Sequence, residues 1–161
     1  MGANREFLLQ VKNASGEEVL RVSRPQDVKK HLVSQLDKNS AGWKVDVTGP
    51  LPQEEKFGYI QQKAGWFHKY FSLCTPDDRQ ALFVKGPLSE TQFLDEDIDF
   101  KLFAADEKRQ LGKITRKYAG MSEALKDAQH YEITVPRDLQ LSQKAVVLGC
   151  AFLIDYLCYA K

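Results

Sequence analysis

The C-terminal segment from Lys144 to Lys161 constrains the fold of this chain most strongly, because it is apolar on every side. Asp155 is the only charged residue between Ala145 and Ala160. A surface helix carries an apolar stripe and a polar face, whereas a helix that is apolar all round must be enclosed. The enclosing material is either lipid or protein, and that choice decides what the chain can do.

Length and charge favour enclosure by protein. At about 1.5 Å per residue the segment reaches about 24 Å, which is shorter than the roughly 30 Å of bilayer hydrocarbon. Asp155 at the centre of a bilayer would cost roughly 2.5–3.5 kcal/mol. We therefore predict a central apolar helix over residues 140–160, threaded through a shell of strands. Its predicted core residues are Val146, Val147, Leu148, Phe152, Leu153 and Ile154.

Alternating apolar residues predict eight or nine strands in the rest of the chain. Phe7, Leu9 and Val11 alternate with more polar neighbours, and a turn over 13–16 leads back into a second strand over 18–23. Further strands are predicted over 43–47, 57–62, 66–74, 80–85, 98–102, 110–118 and 131–135. Residues 26–38 are predicted as a short amphipathic helix or an ordered loop, and residues 122–128 as a short helical turn. The pattern predicts a single, mainly β, antiparallel domain over residues 1–161.

Boundary residues predict where the elements end. Gly86-Pro87 is expected to stop the strand before it, and Pro136 to end the last strand. Asp138 or Ser142 is expected to cap the terminal helix, because short polar side chains accept hydrogen bonds from the free N–H groups of a first turn.

The composition argues against several functional classes. The formal net charge of +1 gives no strong overall attraction to nucleic acid or to an anionic membrane. Three cysteines cannot all pair within the chain, which favours a reducing compartment. The sequence lacks G-x-S-x-G, H-E-x-x-H, a P-loop and C-x-x-C, and its three histidines are far apart. Enzymatic group transfer is therefore disfavoured.

Several motifs resemble those of the phospholipid scramblase family. Gly58–Gln61, Asp97–Phe100 and Gly112–Arg116 are similar to strands of that family, and Lys144–Asp155 is similar to its terminal helix. The resemblance covers roughly residues 5–160. It implies a twelve-stranded, tubby-like antiparallel β-barrel around a hydrophobic C-terminal helix. It also implies non-enzymatic, calcium-stimulated movement of phospholipids between leaflets, at the cytoplasmic face of the plasma membrane.

Two departures from the family pattern bear on architecture and attachment. By this comparison the chain begins in mid-barrel, so the barrel closes with fewer strands, stays open, or is completed by a partner. An open edge would favour self-association. The family's palmitoylated cysteine cluster has no counterpart, because Gln26–Gly42 contains no cysteine.

The resemblance also implies a calcium-binding segment over residues 127–138. Asp127 and Asp138 match the two ends of the family's twelve-residue loop, Gln129 replaces a carboxylate, and Glu132 can add one. Calcium needs six to eight oxygen ligands, and an EF-hand loop has a central glycine that is missing here. The alternative is that Asp127 ends a turn, Asp138 caps a helix, and the strand between them holds the two carboxylates apart.

A basic segment, Gly112–Met121, resembles one through which some scramblases engage importin. Its basic positions are Lys113, Arg116 and Lys117, and a charged solvent-facing strand explains them equally well. The alternatives to scrambling are a tubby-like phosphoinositide or membrane-binding module, a nuclear regulatory module, and an interaction protein with an open barrel edge. The cations available for lipid phosphates are Lys69, Lys85, Lys101, Lys113, Arg116 and Lys117.

Overall fold

The described part of the chain forms nine antiparallel strands in one open sheet. The computed structural model describes residues 7–24, 43–63, 65, 68–88, 96–118 and 130–159. Each strand pairs with its neighbours in sequence, and the order runs from β1 at one edge to β9 at the other. The strands are β1 Leu8–Lys12, β2 Glu18–Ser23, β3 Lys44–Thr48, β4 Lys56–Lys63, β5 His68–Cys74, β6 Gln80–Leu88, β7 Ile98–Ala104, β8 Gln110–Arg116 and β9 Tyr131–Thr134. The predicted mainly β, antiparallel fold is confirmed.

A single C-terminal helix within the described residues packs against this sheet. The helix α1 spans Leu141–Ile154 and continues as a π-helical segment over Asp155–Tyr159. Its N-cap is Gln140, which makes no side-chain capping hydrogen bond. The capping prediction was therefore wrong: Asp138 lies two residues before the cap and Ser142 lies inside the first turn, so neither is at the position where a cap works.

Strand β6 runs through Gly86-Pro87 to Leu88, so the predicted stop at this dipeptide was also wrong. Pairing of β6 with β7 ends at Lys85, and Pro87 therefore lies beyond the last rung, where its missing N–H breaks no described bond to β7. His68 Nδ1 lies 2.8 Å from the carbonyl oxygen of Gly86 and ties β5 to this stretch. The helix or ordered loop predicted over 26–38 and the helical turn predicted over 122–128 lie outside the described residues.

The core lies between α1 and one face of the sheet, which we call the inner face; the opposite side is the outer face. Alternation along each strand places the apolar residues inward. The buried inner-face residues include Val22, Val45, Val47, Ile60, Phe71, Leu73, Leu82, Val84, Phe100, Leu102 and Ile114. Gly149 lets the helix approach β3 closely, because a Cβ atom there would lie 2.9 Å from Cγ2 of Val47. A larger side chain at this position would push the helix off the sheet.

The described strands bury most of α1 but leave one stripe of it exposed. Of the six predicted core residues, Val146, Val147, Leu153 and Ile154 are buried, Leu148 is half-buried, and Phe152 is 41% exposed. Within the described residues, the expectation of a helix enclosed on every side therefore fails for the side that carries Phe152. The sheet does not close around the helix in the described part of the chain, because β1 and β9 do not pair there.

Candidate functional site

The polar end of the apolar helix is built around Asp155. The hydroxyl of Tyr131, on β9, donates a hydrogen bond to Oδ1 of Asp155 at 2.8 Å. Arg116, on β8 and opposite Tyr131 in the register, places its guanidinium carbon 4.2 Å from the ring centroid of Tyr159. The β8–β9 edge of the sheet therefore holds the carboxyl end of the helical segment through one hydrogen bond and one cation–π contact.

The other edge of the sheet reaches the same end of the helix through aromatic rings. The ring of Tyr156 lies 4.8 Å from that of Phe7 and 5.8 Å from that of Trp43, measured between centroids. Arg24 lies over Trp43, with its guanidinium carbon 4.3 Å from the ring centroid. The helix end thus bridges the two sides of the sheet, although β1 and β9 do not pair in the described part of the chain.

Burial keeps the phenol and thiol groups on and beside the helical segment in their protonated, neutral forms. Burial, helped by the Asp155 carboxylate, raises the pKa of Tyr131 well above its ordinary value, so the phenol stays protonated and can donate. Burial likewise raises the pKa of Tyr159 to about 12. It also raises the pKa of the Cys150 and Cys158 thiols, which therefore act as small apolar groups and not as nucleophiles.

The open side of the helical segment presents an apolar stripe. Leu141, Leu148, Phe152 and Tyr156 follow one another at spacings of seven, four and four residues, which places them on one face of a helix. Leu141 is 79% exposed and Tyr156 is 44% exposed. Below, "the open stripe" means these four residues. The stripe ends beside Asp155, so an exposed apolar surface adjoins the polar cluster.

Leu141–Tyr159 is also the one candidate membrane span in the described part of the chain. It has 19 residues and is long and apolar enough to cross a bilayer by length and composition. The core helix of a soluble protein can pass the same test, and one face of α1 does lie on the sheet. The segment is therefore a helix with one side on protein and the other available to an apolar environment.

Two of the three predicted calcium ligands, Glu132 and Asp138, lie within the described residues. Asp127 lies outside the described residues. Glu132 is on β9, with Oε2 3.9 Å from Nζ of Lys117, and Asp138 is exposed in the turn after β9. The extended backbone between them separates the two carboxylates, and no cluster of three metal-ligating side chains occurs among the described residues. The calcium site stays a prediction.

The structure separates the three basic positions of the importin-like segment. Lys113 and Lys117 lie on the outer face, where Lys113 Nζ is 3.7 Å from Asp99 and Lys117 Nζ is 2.9 Å from Asp97. Arg116 lies on the inner face, against Tyr159. The backbone N–H of Tyr118 and the Lys117 ammonium lower the pKa of Asp97, which fixes this carboxylate in its charged form. Importin binding stays a prediction.

Sequence reasoning missed the partners of Asp155. A lone carboxylate within an apolar helix signals that a hydrogen-bond donor must face it, because buried polar groups are almost always paired. Nothing in the local pattern identifies that donor as Tyr131, which is 24 residues away. The cluster of Phe7, Trp43 and Tyr156 likewise joins three distant parts of the sequence.

Comparisons with known proteins identify the family of this chain. The Scramblase family model matches residues 1–161. The chain therefore belongs to the Scramblase family, which confirms the resemblance carried by its motifs.

Individual relatives are similar over almost the whole of this chain. It is 30% identical to phospholipid scramblase 1 of Mus musculus over 99% of its own length and 47% of the relative. It is 27% identical to phospholipid scramblase 4 of Homo sapiens, over 98% of its length and 46% of the relative. It is also 27% identical to the human phospholipid scramblase family member 5, over 95% and 54%. The chain spans about half the length of these relatives, and no solved structure matches it.

Proposed function

We propose that this chain moves phospholipids between the two leaflets of a membrane, in both directions and in response to calcium, at the cytoplasmic face of the plasma membrane. The observation that carries the proposal is the match of the whole chain to the Scramblase family. Lipid movement of this kind makes and breaks no covalent bond, so the proposal requires no catalytic residue.

The half-open helix supports this proposal physically. A phospholipid that changes leaflet must take its polar headgroup through hydrocarbon, where unpaired polar groups are costly. The open stripe offers an apolar surface to acyl chains, and the cluster of Asp155, Tyr131 and Arg116 lies at its end. In the proposed function, the acyl chains of a lipid contact the open stripe, and its headgroup contacts the cluster on the same side of the molecule.

Reconstitution tests the proposal directly. The protein is placed in vesicles that carry a fluorescent phospholipid in both leaflets, and a membrane-impermeant reductant then bleaches the label outside. With calcium, bleaching is expected to continue past the outer-leaflet share, because label from the inner leaflet keeps arriving. Bleaching that stops at the share seen in protein-free vesicles, with folded protein present, would refute lipid movement by this chain.

A matched pair of variants tests the role of the open stripe. Phe152→Asn places an amide on the stripe, whereas Leu51→Asn makes a comparable change at an apolar residue that is 54% exposed elsewhere. We expect the first variant to slow bleaching of the inner-leaflet label and the second to leave it near the wild-type rate. Equal rates for all three proteins would remove the stripe from the proposal.

The calcium response is tested with the double variant Asp127→Asn/Asp138→Asn. If these carboxylates bind the ion, more calcium is needed to reach half of the maximal rate, since affinity falls as charged ligands are lost. Glu17→Gln/Glu55→Gln removes the same charge from two exposed glutamates and serves as the control. An unchanged calcium requirement in the first variant would exclude this segment as the sensor.

The second candidate function is a membrane-binding module that does not move lipid. Cross-strand lysines on the outer face favour it, and the next subsection describes them. Vesicle binding without loss of inner-leaflet label would select this candidate. Nuclear import through Lys113, Arg116 and Lys117 and self-association through the edge strands β1 and β9 stay predictions. Importin pull-down and light scattering, respectively, would test them.

A further inference from the structure

A row of lysines crosses the outer face of the sheet. Lys85 is directly opposite Lys101, and Lys101 is directly opposite Lys113, in the registers of β6–β7 and β7–β8. On the other side, Tyr70 stands opposite both Lys85 and Lys63. Below, "the lysine row" means Lys63, Lys85, Lys101 and Lys113. Four ammonium groups and one phenol therefore lie in a single line across β4–β8.

This arrangement costs stability in the free protein. Like charges directly opposite each other on antiparallel strands repel. Lys113 forms an ion pair with Asp99, whose Oδ2 lies 3.7 Å from its Nζ. For Lys63, Lys85 and Lys101, no ion pair occurs in the described part of the chain. Among the described residues, the lysines over β4–β7 are therefore not neutralised by direct ion pairs, and an anionic partner would relieve the repulsion.

Aromatic rings and two depressions lie beside the row. The rings of Tyr70 and Phe83 stack at 5.5 Å, and Phe83 is opposite Phe103 in the register. One depression of about 500 Å³ is lined by Lys63, Tyr70 and Lys85, and another of about 440 Å³ by Lys85, Lys101 and Phe103. Lys85 thus separates two concave openings that can each admit a small polar group.

The acidic residues that border these depressions are mostly engaged elsewhere. Glu107 accepts a hydrogen bond from Gln80 at 3.1 Å. Asp97 accepts from Lys117 and from the backbone of Tyr118, and Asp99 accepts from Thr115 at 2.7 Å. The lysines that face the openings therefore remain available to an outside anion.

We propose that this outer face, over β4–β7, docks on a membrane surface that contains anionic phospholipids. The lysine row contacts the headgroup phosphates and carboxylates, and the half-buried rings of Tyr70 and Phe103 lie at the level of the interface. The proposal rests on the proposed function for its lipid partner. It places membrane docking on the face opposite α1, so that docking and the open stripe are separate features of the molecule.

Charge and ring geometry favour a lipid surface over nucleic acid. Binding of single strands uses aromatic faces that are free to stack on bases. Phe83 is only 8% exposed, and its ring and that of Tyr70 stack on each other. The net charge of +1 also gives little long-range attraction to a polyanion, whereas a local row of lysines suits a flat anionic surface.

The test compares two double variants that lose the same charge. Lys85→Gln/Lys101→Gln removes the centre of the row, and Lys12→Gln/Lys108→Gln removes two exposed lysines elsewhere. Binding is measured without calcium, by cosedimentation with vesicles of phosphatidylcholine alone or mixed with phosphatidylserine. A lysine near such a surface contributes about fivefold in affinity, so the first variant should bind the mixed vesicles about 30-fold more weakly. The control should bind like the wild type.

Folding and charge are separated by two further measurements. Because it loses cross-strand repulsion, Lys85→Gln/Lys101→Gln should melt at the wild-type temperature or slightly above it. Lys85→Arg/Lys101→Arg keeps the charge and should keep the binding. If Lys85→Gln/Lys101→Gln melts below the wild-type temperature, Lys63→Gln replaces it in the vesicle assay. Lys63 lies at an exposed strand end, and its loss is expected to weaken vesicle binding about fivefold.

Several outcomes would overturn the docking proposal. They are unchanged binding by the folded row variant, failure of the wild-type protein to prefer mixed vesicles, and displacement of bound vesicles by a single-stranded oligonucleotide at equal charge concentration.

The bleaching assay distinguishes failure of the docking proposal from failure of the proposed function. Lipid movement that does not depend on the row contradicts only the docking surface, and row-dependent binding without lipid movement contradicts only the proposed function.

Discussion

The two faces of the sheet differ in how their residues are paired. On the inner face, apolar side chains from strand and helix meet and exclude water; Leu102, Ile114 and Leu153 are fully buried. On the outer face, over β7–β9, charges are matched in pairs such as Asp97 with Lys117. Over β4–β7 the same face carries Lys63, Lys85 and Lys101, which form no ion pair within the described residues. The difference shows that the inner face stabilises the fold, whereas part of the outer face carries charge that the fold does not need.

The helix that packs on the inner face is itself buried on one side and partly exposed on the other. Its sheet-facing side follows the rule that apolar residues are buried, while the open stripe leaves Phe152 and Tyr156 partly exposed. A helix that served only the core would present polar residues on its free side. The apolar free side is therefore the feature that links the fold to a lipid environment in the proposed function.

The largest effect is expected from adjacent helix residues on the two sides of α1. Leu153→Ala should lower the free energy of unfolding by about 2–5 kcal/mol, because it removes a fully buried side chain and leaves a cavity. Phe152→Ala should cost less than about 1.5 kcal/mol, because that ring is already partly exposed. Urea unfolding followed by circular dichroism measures both. Equal losses would contradict the distinction between a packed side and an open side.

A smaller effect is expected at the polar end of the helix. Tyr131→Phe removes the hydroxyl that donates to Asp155 and should lower the free energy of unfolding by about 1–2 kcal/mol, since the half-buried carboxylate loses a partner. Tyr118→Phe makes the same chemical change at an exposed ring and should have almost no effect. If the two variants unfold at the same urea concentration, the hydrogen bond does not stabilise the helix end.

The smallest effect is expected from the paired charges of the outer face, and it depends on pH. The folded-state pKa of Asp97 is lowered by the Tyr118 backbone N–H and by Lys117. A lowered folded-state pKa contributes stability above the unfolded-state value, about 3.9, and this contribution is lost as pH falls through the folded-state pKa. Asp97→Asn should therefore unfold at a lower urea concentration than the wild type near neutral pH.

The same argument predicts that the difference shrinks on acidification. Below about pH 4, the wild type loses the contribution of the carboxylate and should approach the variant. Glu96→Gln, at the neighbouring exposed residue, is the control and should track the wild type across the range. If the difference in unfolding urea concentration between Asp97→Asn and the wild type stays constant down to about pH 3, the charge of the carboxylate does not contribute to stability.

Much of the fold was predictable because strand periodicity is local. The alternation around Val45 and Val47 and around Ile98, Phe100 and Leu102 is enough to identify β3 and β7 and the side of each that is buried. The errors fell at element ends, at the Gly86-Pro87 stop and the Asp138 or Ser142 cap. Such ends depend on which neighbouring strand or N–H group is present, and a single stretch of sequence does not contain that information.

The candidate sites were less predictable, because they join distant residues. The sequence placed Lys85 and Lys101 in one set of cations with Arg116, which lies on the opposite face. That set did not include Lys63, which the register places in the same row as Lys85. A shift of one residue in strand register would move every side chain to the other face. Only the observed register therefore shows which cations share a surface.

The sequence by itself determined that this chain forms antiparallel strands and ends in an apolar helix, because periods of two residues and unbroken apolar runs act over short distances. It also determined membership of the Scramblase family, through motifs spread along the whole chain. The tertiary structure alone decided that the sheet stays open in the described part of the chain, that Tyr131 holds Asp155, and that lysines line up across strands. Those features depend on pairing between residues far apart in sequence, and local patterns do not specify pairing.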